Sequence, residues 1–285
     1  MSYSKEEPFA SYDEGHVPPS YTEYNHTSAP APGDEAAVAE PSTGAGAGAR
    51  SKFPPALNGY LHKKLSEVTF HLSENGDTPL FYGELHSGWS GKPEVTLRSG
   101  PSENDPVMAT AGAASKWTLK NVAIAVASSL GAGDARPEGG QDEMIQIDMA
   151  SHYRLKKIYL NFAMDVGPGG ELRREEFEWR HSSGGEIQSL DGDSVGWKLV
   201  RLSEGSSAGG KGHARPAGLT SDGKEIVAVW AHNASLSMTK AFKFQFLGSG
   251  LTGVLGDRWA AAALVSAVRM WWVDYQSRAA TAANS

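Results

Sequence analysis

The sequence predicts a mainly β protein, in which about twelve antiparallel strands close into a barrel around a hydrophobic C-terminal helix. A disordered N-terminal arm is predicted in front of this barrel. Three observations lead to this fold class. Short segments of alternating apolar and polar residues follow one another from residue 68 to residue 247, glycine-rich turns separate them, and the last predicted element is a long apolar helix.

The helix is predicted over residues 257–276, with Asp257 as its N-cap. Apolar residues surround its axis and leave only a thin polar stripe through Arg258, Ser266 and Arg269. A helix that is apolar on nearly every side must be buried. A membrane anchor is the alternative, but only ten uncharged residues separate the two arginines, whereas a bilayer needs about 20. We therefore expect the barrel to enclose this helix, with these residues in the core: Trp259, Leu264, Val268, Trp271 and Trp272.

The predicted strands have the period of two that is typical of half-buried β-structure. Eleven segments fit, and the number rises to twelve if Asn121 breaks the fifth of them. They are residues 68–73, 80–85, 94–99, 107–110, 116–126, 144–149, 157–163, 174–181, 196–202, 224–231 and 240–247. Because the predicted helix must be buried, a closed barrel is favoured over a sandwich.

Composition divides the chain into an arm, residues 1–55, and a barrel domain, residues 56–280. The arm holds eight of the 15 prolines, a Gly-Ala tract at 44–49, and eight acidic against three basic side chains. Such a segment buries too little apolar surface to offset its chain entropy, and we predict that it is disordered. The barrel domain carries all eight tryptophans, which is ample material for a core.

Several classes of function are disfavoured by composition. The absence of cysteine removes disulfides, thiolate catalysis and sulfur-ligated metals. A net charge of −7 disfavours general nucleic-acid binding, which depends on neutralising phosphates. The polar, acidic N-terminus lacks the pattern of a signal peptide. We expect a cytoplasmic protein, peripheral at the plasma membrane in one interpretation, and not a secreted one.

No motif in the sequence supports catalysis, a cofactor or a metal ion. The phosphate-loop-like stretch 205–211 has glycine where a Ser or Thr is needed, and the GxGxxG at 248–253 lacks a second parallel strand. Glu176, Glu178 and Arg180 fall on one strand face and are interpreted as a solvated face. We expect a non-enzymatic protein. An enzyme remains the alternative, with a site assembled from barrel-end loops through Asp191, Asp193, His213 or Asp222.

The arm contains one recognisable interaction motif, Pro18-Pro19-Ser20-Tyr21. The two prolines favour a polyproline II helix, which WW domains bind in an aromatic-lined groove, and the tyrosine fills a second pocket. Pro18, Pro19 and Tyr21 are therefore candidate contacts for WW-domain proteins such as ubiquitin ligases. A chance match in a proline-rich segment is the alternative.

Three pairs of basic residues lie beside predicted turns, namely Lys63 and Lys64, Lys156 and Lys157, and Arg173 and Arg174. If they met at one end of the barrel, they could bind an anionic phospholipid headgroup, at about 1 kcal/mol per residue near a charged surface. Scattered solubilising charge is the alternative interpretation.

Five motifs resemble the tubby C-terminal-like family, which includes phospholipid scramblases, plant LURP-one-related proteins and uncharacterised fungal members, the last being the most similar. The motifs are VTLRSGP at 95–101 with DPV at 105–107, FEWR at 177–180, GWKLV at 196–200, DGKE at 222–225 with VAVW at 227–230, and FQFL at 244–247. The resemblance implies a twelve-stranded barrel around a C-terminal helix. It also implies phosphoinositide binding, as in tubby itself, or scramblase-like membrane association, although scramblases carry a cysteine-rich lipidated segment that this chain lacks.

Overall fold

A computed structural model describes residues 51–63, 68–88, 91–115, 118–130, 143–154, 157–167, 171–203, 218–233 and 240–284. The predictions for the arm up to residue 50, including its WW motif, lie outside the described residues. The described residues form twelve strands, β1 Ala56–Lys63, β2 Val68–Ser73, β3 Phe81–Leu85, β4 Val95–Arg98, β5 Val107–Ser115, β6 Thr118–Ala127, β7 Met144–Arg154, β8 Lys157–Val166, β9 Arg173–Ser182, β10 Gly196–Arg201, β11 Glu225–His232 and β12 Lys240–Phe246. Within the same part of the chain there are three helices, α1 Gly185–Gln188, α2 Gly248–Leu251 and α3 Asp257–Ala283.

Each strand pairs antiparallel with its sequence neighbours, and β1 pairs with β12, so the sheet closes into a twelve-stranded barrel. The predicted fold class is confirmed. The prediction of a break at Asn121 is wrong, because β6 runs through this residue and pairs Asn121 with Ala150 of β7. The twelfth strand is β1 instead.

Strand β1 was missed because its alternation is weak in the sequence. Its inner face is formed by Leu57, Gly59 and Leu61, and the middle position carries no side chain. A Cβ at Gly59 would lie 2.9 Å from the Cβ of Phe242 on β12. The glycine lets this neighbouring aromatic ring fill the interior, and it hides the apolar periodicity of the strand. Phe53, just before β1, also packs against the core, with its ring 5.4 Å from that of Phe81.

Helix α3 runs through the barrel, and every residue from 259 to 272 is buried. It is longer than predicted, because its last turns continue, exposed, to Ala283. The N-cap is Gly256, at φ 82°, and not Asp257. The carboxylate of Asp257 instead accepts hydrogen bonds from Ser51 Oγ, at 3.0 Å, and from the amide of Lys52, at 3.2 Å. The contact joins the start of α3 to the segment that leads into β1.

The helix does not lie at equal distance from all strands. It packs most closely on β5 and β6. Small buried side chains are found on both elements, namely Ala109 and Ala111 on β5 and Ala260, Ala263 and Ala267 on one face of α3. Aromatic rings fill the wider space on the other side, with Phe246 at 5.8 Å and Phe177 at 5.6 Å from Trp259. All five predicted core residues of the helix are buried.

Because consecutive strands run antiparallel, their connections alternate between the two ends of the barrel. The lower rim is formed by the β2–β3, β4–β5, β6–β7, β8–β9 and β10–β11 connections and by the start of α3. The upper rim is formed by the β1–β2, β3–β4, β5–β6, β7–β8, β9–β10 and β11–β12 connections, and α3 leaves the barrel there. In the described part of the chain, no helix combines the length and the apolar character that crossing a bilayer requires.

Candidate functional site

At the upper rim, two tryptophans fix the point where α3 leaves the barrel. Trp271 donates its indole N–H to the carbonyl of Ala241 on β12, at 3.1 Å. Trp272 donates to the carbonyl of His86, just beyond β3, at 2.8 Å. These donors reach strands on different sides of the helix, so they set its rotation as well as its depth.

Arg269 is paired inside the wall of the upper rim. Its Nε lies 2.6 Å from Oε2 of Glu94, in the segment that leads into β4, and both side chains are largely buried. The N–H does not point at this oxygen, so the contact is an ion pair rather than an aligned hydrogen bond. It accounts for one residue of the polar stripe on α3. Ser266 accounts for a second, because it accepts a hydrogen bond from the indole of Trp179 at 3.0 Å.

A second ionic cluster joins the exposed part of α3 to the end of β11. Nε2 of His232 lies 2.6 Å from Oδ2 of Asp274, and Arg278 donates to that same oxygen at 2.8 Å. Arg278 also donates to Asp193 in the β9–β10 connection, at 3.2 Å. Burial lowers the pKa of His232 and the charge of Arg278 lowers it further, while Asp274 and Asp193 act in the opposite direction. The net shift favours a neutral imidazole at neutral pH.

A third cluster closes the lower rim around the buried carboxylate of Glu175. Arg201 donates to it through two nitrogens and Arg173 through one. Arg201 also reaches Glu225 at 3.3 Å, and Glu225 in turn accepts the amide of Ser249 in α2 at 2.7 Å. Burial alone would raise the pKa of Glu175, but the hydrogen bonds from the two arginines outweigh it and hold the pKa below its usual value.

The strand register places this third cluster on the inner face of the barrel. Arg201 is directly opposite the core residue Phe177, and Glu175 is two residues from Phe177 on the same strand. The alternation of apolar and polar residues in the sequence did not predict this cluster. The sequence does contain one indication of it. Glu175 is a charged residue at a position of β9 where the alternation calls for an apolar one, and such a residue near a strand end indicates an ion pair.

On the outer face, Glu178 and Arg180 are not simply solvated, and that interpretation is wrong. Glu178 is 7% exposed, accepts a hydrogen bond from Arg180 at 2.7 Å and lies 3.2 Å from Nε2 of His152. Arg180 also binds both carboxylate oxygens of Asp222 at 2.9 Å. Only Glu176 of the three predicted residues is exposed. The cluster ties β7, β9 and the β10–β11 connection together.

Of the basic residues predicted to bind lipid, Lys63 ends β1 and Lys157 begins β8, so both are at the upper rim. Lys64 and Lys156 lie outside the described residues, in the two hairpin connections next to these positions. The two connections stand six strands apart around the barrel, on opposite sides of the same rim.

Arg173 and Arg174 begin β9 and therefore lie at the lower rim, at the other end of the barrel. Arg173 is engaged by Glu175, and Arg174 lies 3.8 Å from Asp165. The fold thus does not bring all three basic pairs together. A single pocket built from all six residues is incompatible with the topology.

The residues of the alternative enzyme hypothesis are also divided between the two rims. Asp191 and Asp193 are in the β9–β10 connection at the upper rim, Asp222 is in the β10–β11 connection at the lower rim, and His213 lies outside the described residues. The length of β11, about 23 Å at 3.3 Å per residue, separates the two positions. Among the described residues, no three His, Asp or Glu side chains form a group that could hold a metal ion.

No family model matches the chain, and neither a curated protein nor a solved structure matches it.

Proposed function

We propose that this protein is a non-enzymatic binding and adaptor module, which meets an anionic membrane surface through the upper rim and WW-domain proteins through its N-terminal motif. A closed barrel whose interior is filled by α3 supports the role of a rigid scaffold, in which ligands bind outside the barrel. The same architecture supports the proposed relation to the tubby C-terminal-like family.

The observation that carries the membrane proposal is the composition of the upper rim. Lys63, Lys64, Lys156 and Lys157 belong to two hairpins of this rim. Beside the second hairpin, Tyr153 is 74% and Ile158 is 48% exposed. Exposed apolar side chains beside lysines fit the interface of an anionic bilayer, where the tyrosine ring and the isoleucine side chain enter the headgroup layer and the lysines meet lipid phosphates. A flat membrane can contact both hairpins at once, whereas one headgroup cannot.

Flotation of the full chain with lipid vesicles tests this proposal. We expect recovery with vesicles that contain phosphatidylserine or a phosphatidylinositol bisphosphate, little recovery with phosphatidylcholine alone, and loss of binding at high salt because the attraction is screened. A preference for the bisphosphate over phosphatidylserine at equal surface charge would indicate headgroup recognition. Equal recovery with neutral and anionic vesicles would contradict the proposal.

The adaptor half of the proposal is supported by the sequence motif Pro18-Pro19-Ser20-Tyr21. WW domains read the two prolines and the tyrosine together, so removal of the ring removes one of two anchors. In a pull-down of the full chain with immobilised WW domains of ubiquitin ligases, Tyr21→Ala is expected to weaken capture by about tenfold. Tyr24→Ala, three residues away, is the matched control and should bind like the parent. Equal capture of Tyr21→Ala and the parent would rule out this motif.

A further inference from the structure

Two histidines meet on the outer face of the barrel, on the neighbouring strands β1 and β2. The register pairs His62 with Thr69 and places His71 two residues further along β2, so the two histidines are diagonal neighbours across this strand pair. Both alternate with buried core residues, and their side chains therefore point away from the barrel interior. His62 is exposed and His71 is partly exposed, so solvent reaches both imidazoles.

The two imidazole rings are close enough to share one bound ion. Their centres lie 5.0 Å apart, and their planes are inclined by 81°. Zinc binds a histidine nitrogen at about 2.1 Å, which puts the ion about 3.2 Å from the centre of the ring. For coordination angles between about 90° and 109°, the centres of two such rings are about 4.5–5.2 Å apart. The observed separation falls within this range, so side-chain rotation alone can direct one nitrogen of each ring at a common point.

His71 is held in place by groups on its other side. Its ring forms a hydrogen bond with the backbone of Pro101. Because proline has no N–H, the acceptor is the Pro101 carbonyl, and the donor is a ring nitrogen of His71. The ring of Tyr82 on β3 also packs against His71, at 5.4 Å. Histidines that bind metal ions usually donate their second ring N–H to such a carbonyl, which leaves the other nitrogen as the ligand.

The chemistry of the pair selects the kind of ion. Burial lowers the pKa of His71 and the neighbouring His62 lowers it further, while the hydrogen bond to Pro101 acts in the opposite direction. The net shift favours a neutral ring at neutral pH, and neutral imidazole is the form that binds metal ions. Imidazole suits zinc, copper and nickel, whereas magnesium and calcium bind oxygen ligands.

We propose that His62 and His71 form a binding site for a divalent transition-metal ion, with zinc and copper as the ions that suit its ligands. Each histidine supplies one nitrogen, and water completes the coordination. Two protein ligands are one fewer than the three that hold a catalytic zinc ion, so the ion exchanges readily and can accept a donor atom from a partner molecule. The ion joins β2 to β1, the strand that closes the barrel against β12. The site is independent of the proposed membrane surface.

Binding of copper(II) to the full, untagged chain tests this proposal. Half an equivalent of the ion is used, so that the tightest site is occupied first. We expect the electron spin echo envelope modulation of the bound ion to show two coordinated imidazoles. His62→Gln and His71→Gln should each lose this signature and weaken binding, measured by calorimetry, by about tenfold or more, because the second ligand of the chelate is lost. Zinc should compete for the site, whereas magnesium and calcium should not.

His181→Gln is the matched control, since it removes an exposed histidine of β9 whose ring packs against Trp197. This variant should bind copper like the parent. A thermal melt without metal checks that each variant is folded. The proposal is overturned if the signature of two imidazoles persists in His62→Gln or His71→Gln, or if the parent binds copper no more tightly than these two variants.

Discussion

Trp271→Asp is expected to abolish cooperative folding of the barrel. Trp271 is 1% exposed, and its ring lies 5.7 Å from Phe242 and 6.5 Å from Phe70, between α3 and the wall. The substitution empties this space, at a cost of about 3–5 kcal/mol for the lost ring, and puts an unpaired carboxylate into the core. Together these effects equal or exceed the roughly 5–15 kcal/mol that stabilises a typical domain. Near-UV circular dichroism and thermal unfolding measure the result.

Val273→Asp is the matched control, because it makes the same kind of change two residues further along α3. Val273 is 42% exposed, outside the fully buried stretch. We expect this variant to melt within about 1 kcal/mol of the parent, as is usual for surface substitutions. A Trp271→Asp variant that is soluble and melts cooperatively like Val273→Asp would contradict the enclosure of α3.

Glu175→Ala is expected to destabilise the protein by about 3–5 kcal/mol, as is usual when one partner of a buried ion pair is removed. The carboxylate is 4% exposed and holds two arginines at the lower rim. Without it, Arg201 keeps only the longer contacts to Glu225 and Ser249. Urea unfolding at neutral pH measures the loss.

Glu176→Ala is the control for this substitution, since it removes the same group from the next, exposed residue of β9. Acid provides a second check. The pKa of Glu175 is lowered in the folded protein, so its contribution to stability is complete above the ordinary carboxyl pKa of about 4.3 and is lost as the pH falls through the folded-state pKa. The stability difference between parent and Glu175→Ala should therefore shrink in acid. A difference of the same size as that of Glu176→Ala would show that the cluster contributes nothing.

The sequence predicted the parts of the fold that follow from local periodicity. The alternation of apolar and polar residues predicted eleven of the strands. The nearly continuous apolar surface of α3 predicted that this helix is buried. That burial also settled the choice of a closed barrel, because only a closed sheet covers such a helix on every side. Strand β1 was not predicted because Gly59 leaves the middle position of its inner face without a side chain. Glycine is needed at this position because any side chain would collide with the ring of Phe242, on a strand almost 200 residues later in the sequence.

The arrangement of the candidate sites could be predicted only in part. It depends on the direction of each strand, which follows from its odd or even number in the sheet, and on ion pairs between residues far apart in the sequence. Once the strands are counted with β1 included, antiparallel alternation alone assigns Lys63 and Lys157 to one rim and Arg173 to the other. The ion pair between Arg269 and Glu94 has no local signal, since its residues are far apart in sequence.

The most direct test of the proposed membrane role compares charge reversal at the two rims. The double variant Lys156→Glu with Lys157→Glu changes the upper rim, and Arg173→Glu with Arg174→Glu makes the same formal change at the lower rim. In flotation with bisphosphate-containing vesicles, we expect the first variant to lose most of its binding and the second, checked for folding because Arg173 contacts Glu175, to retain it. Equal binding of the upper-rim variant and the parent would contradict membrane docking through the upper rim.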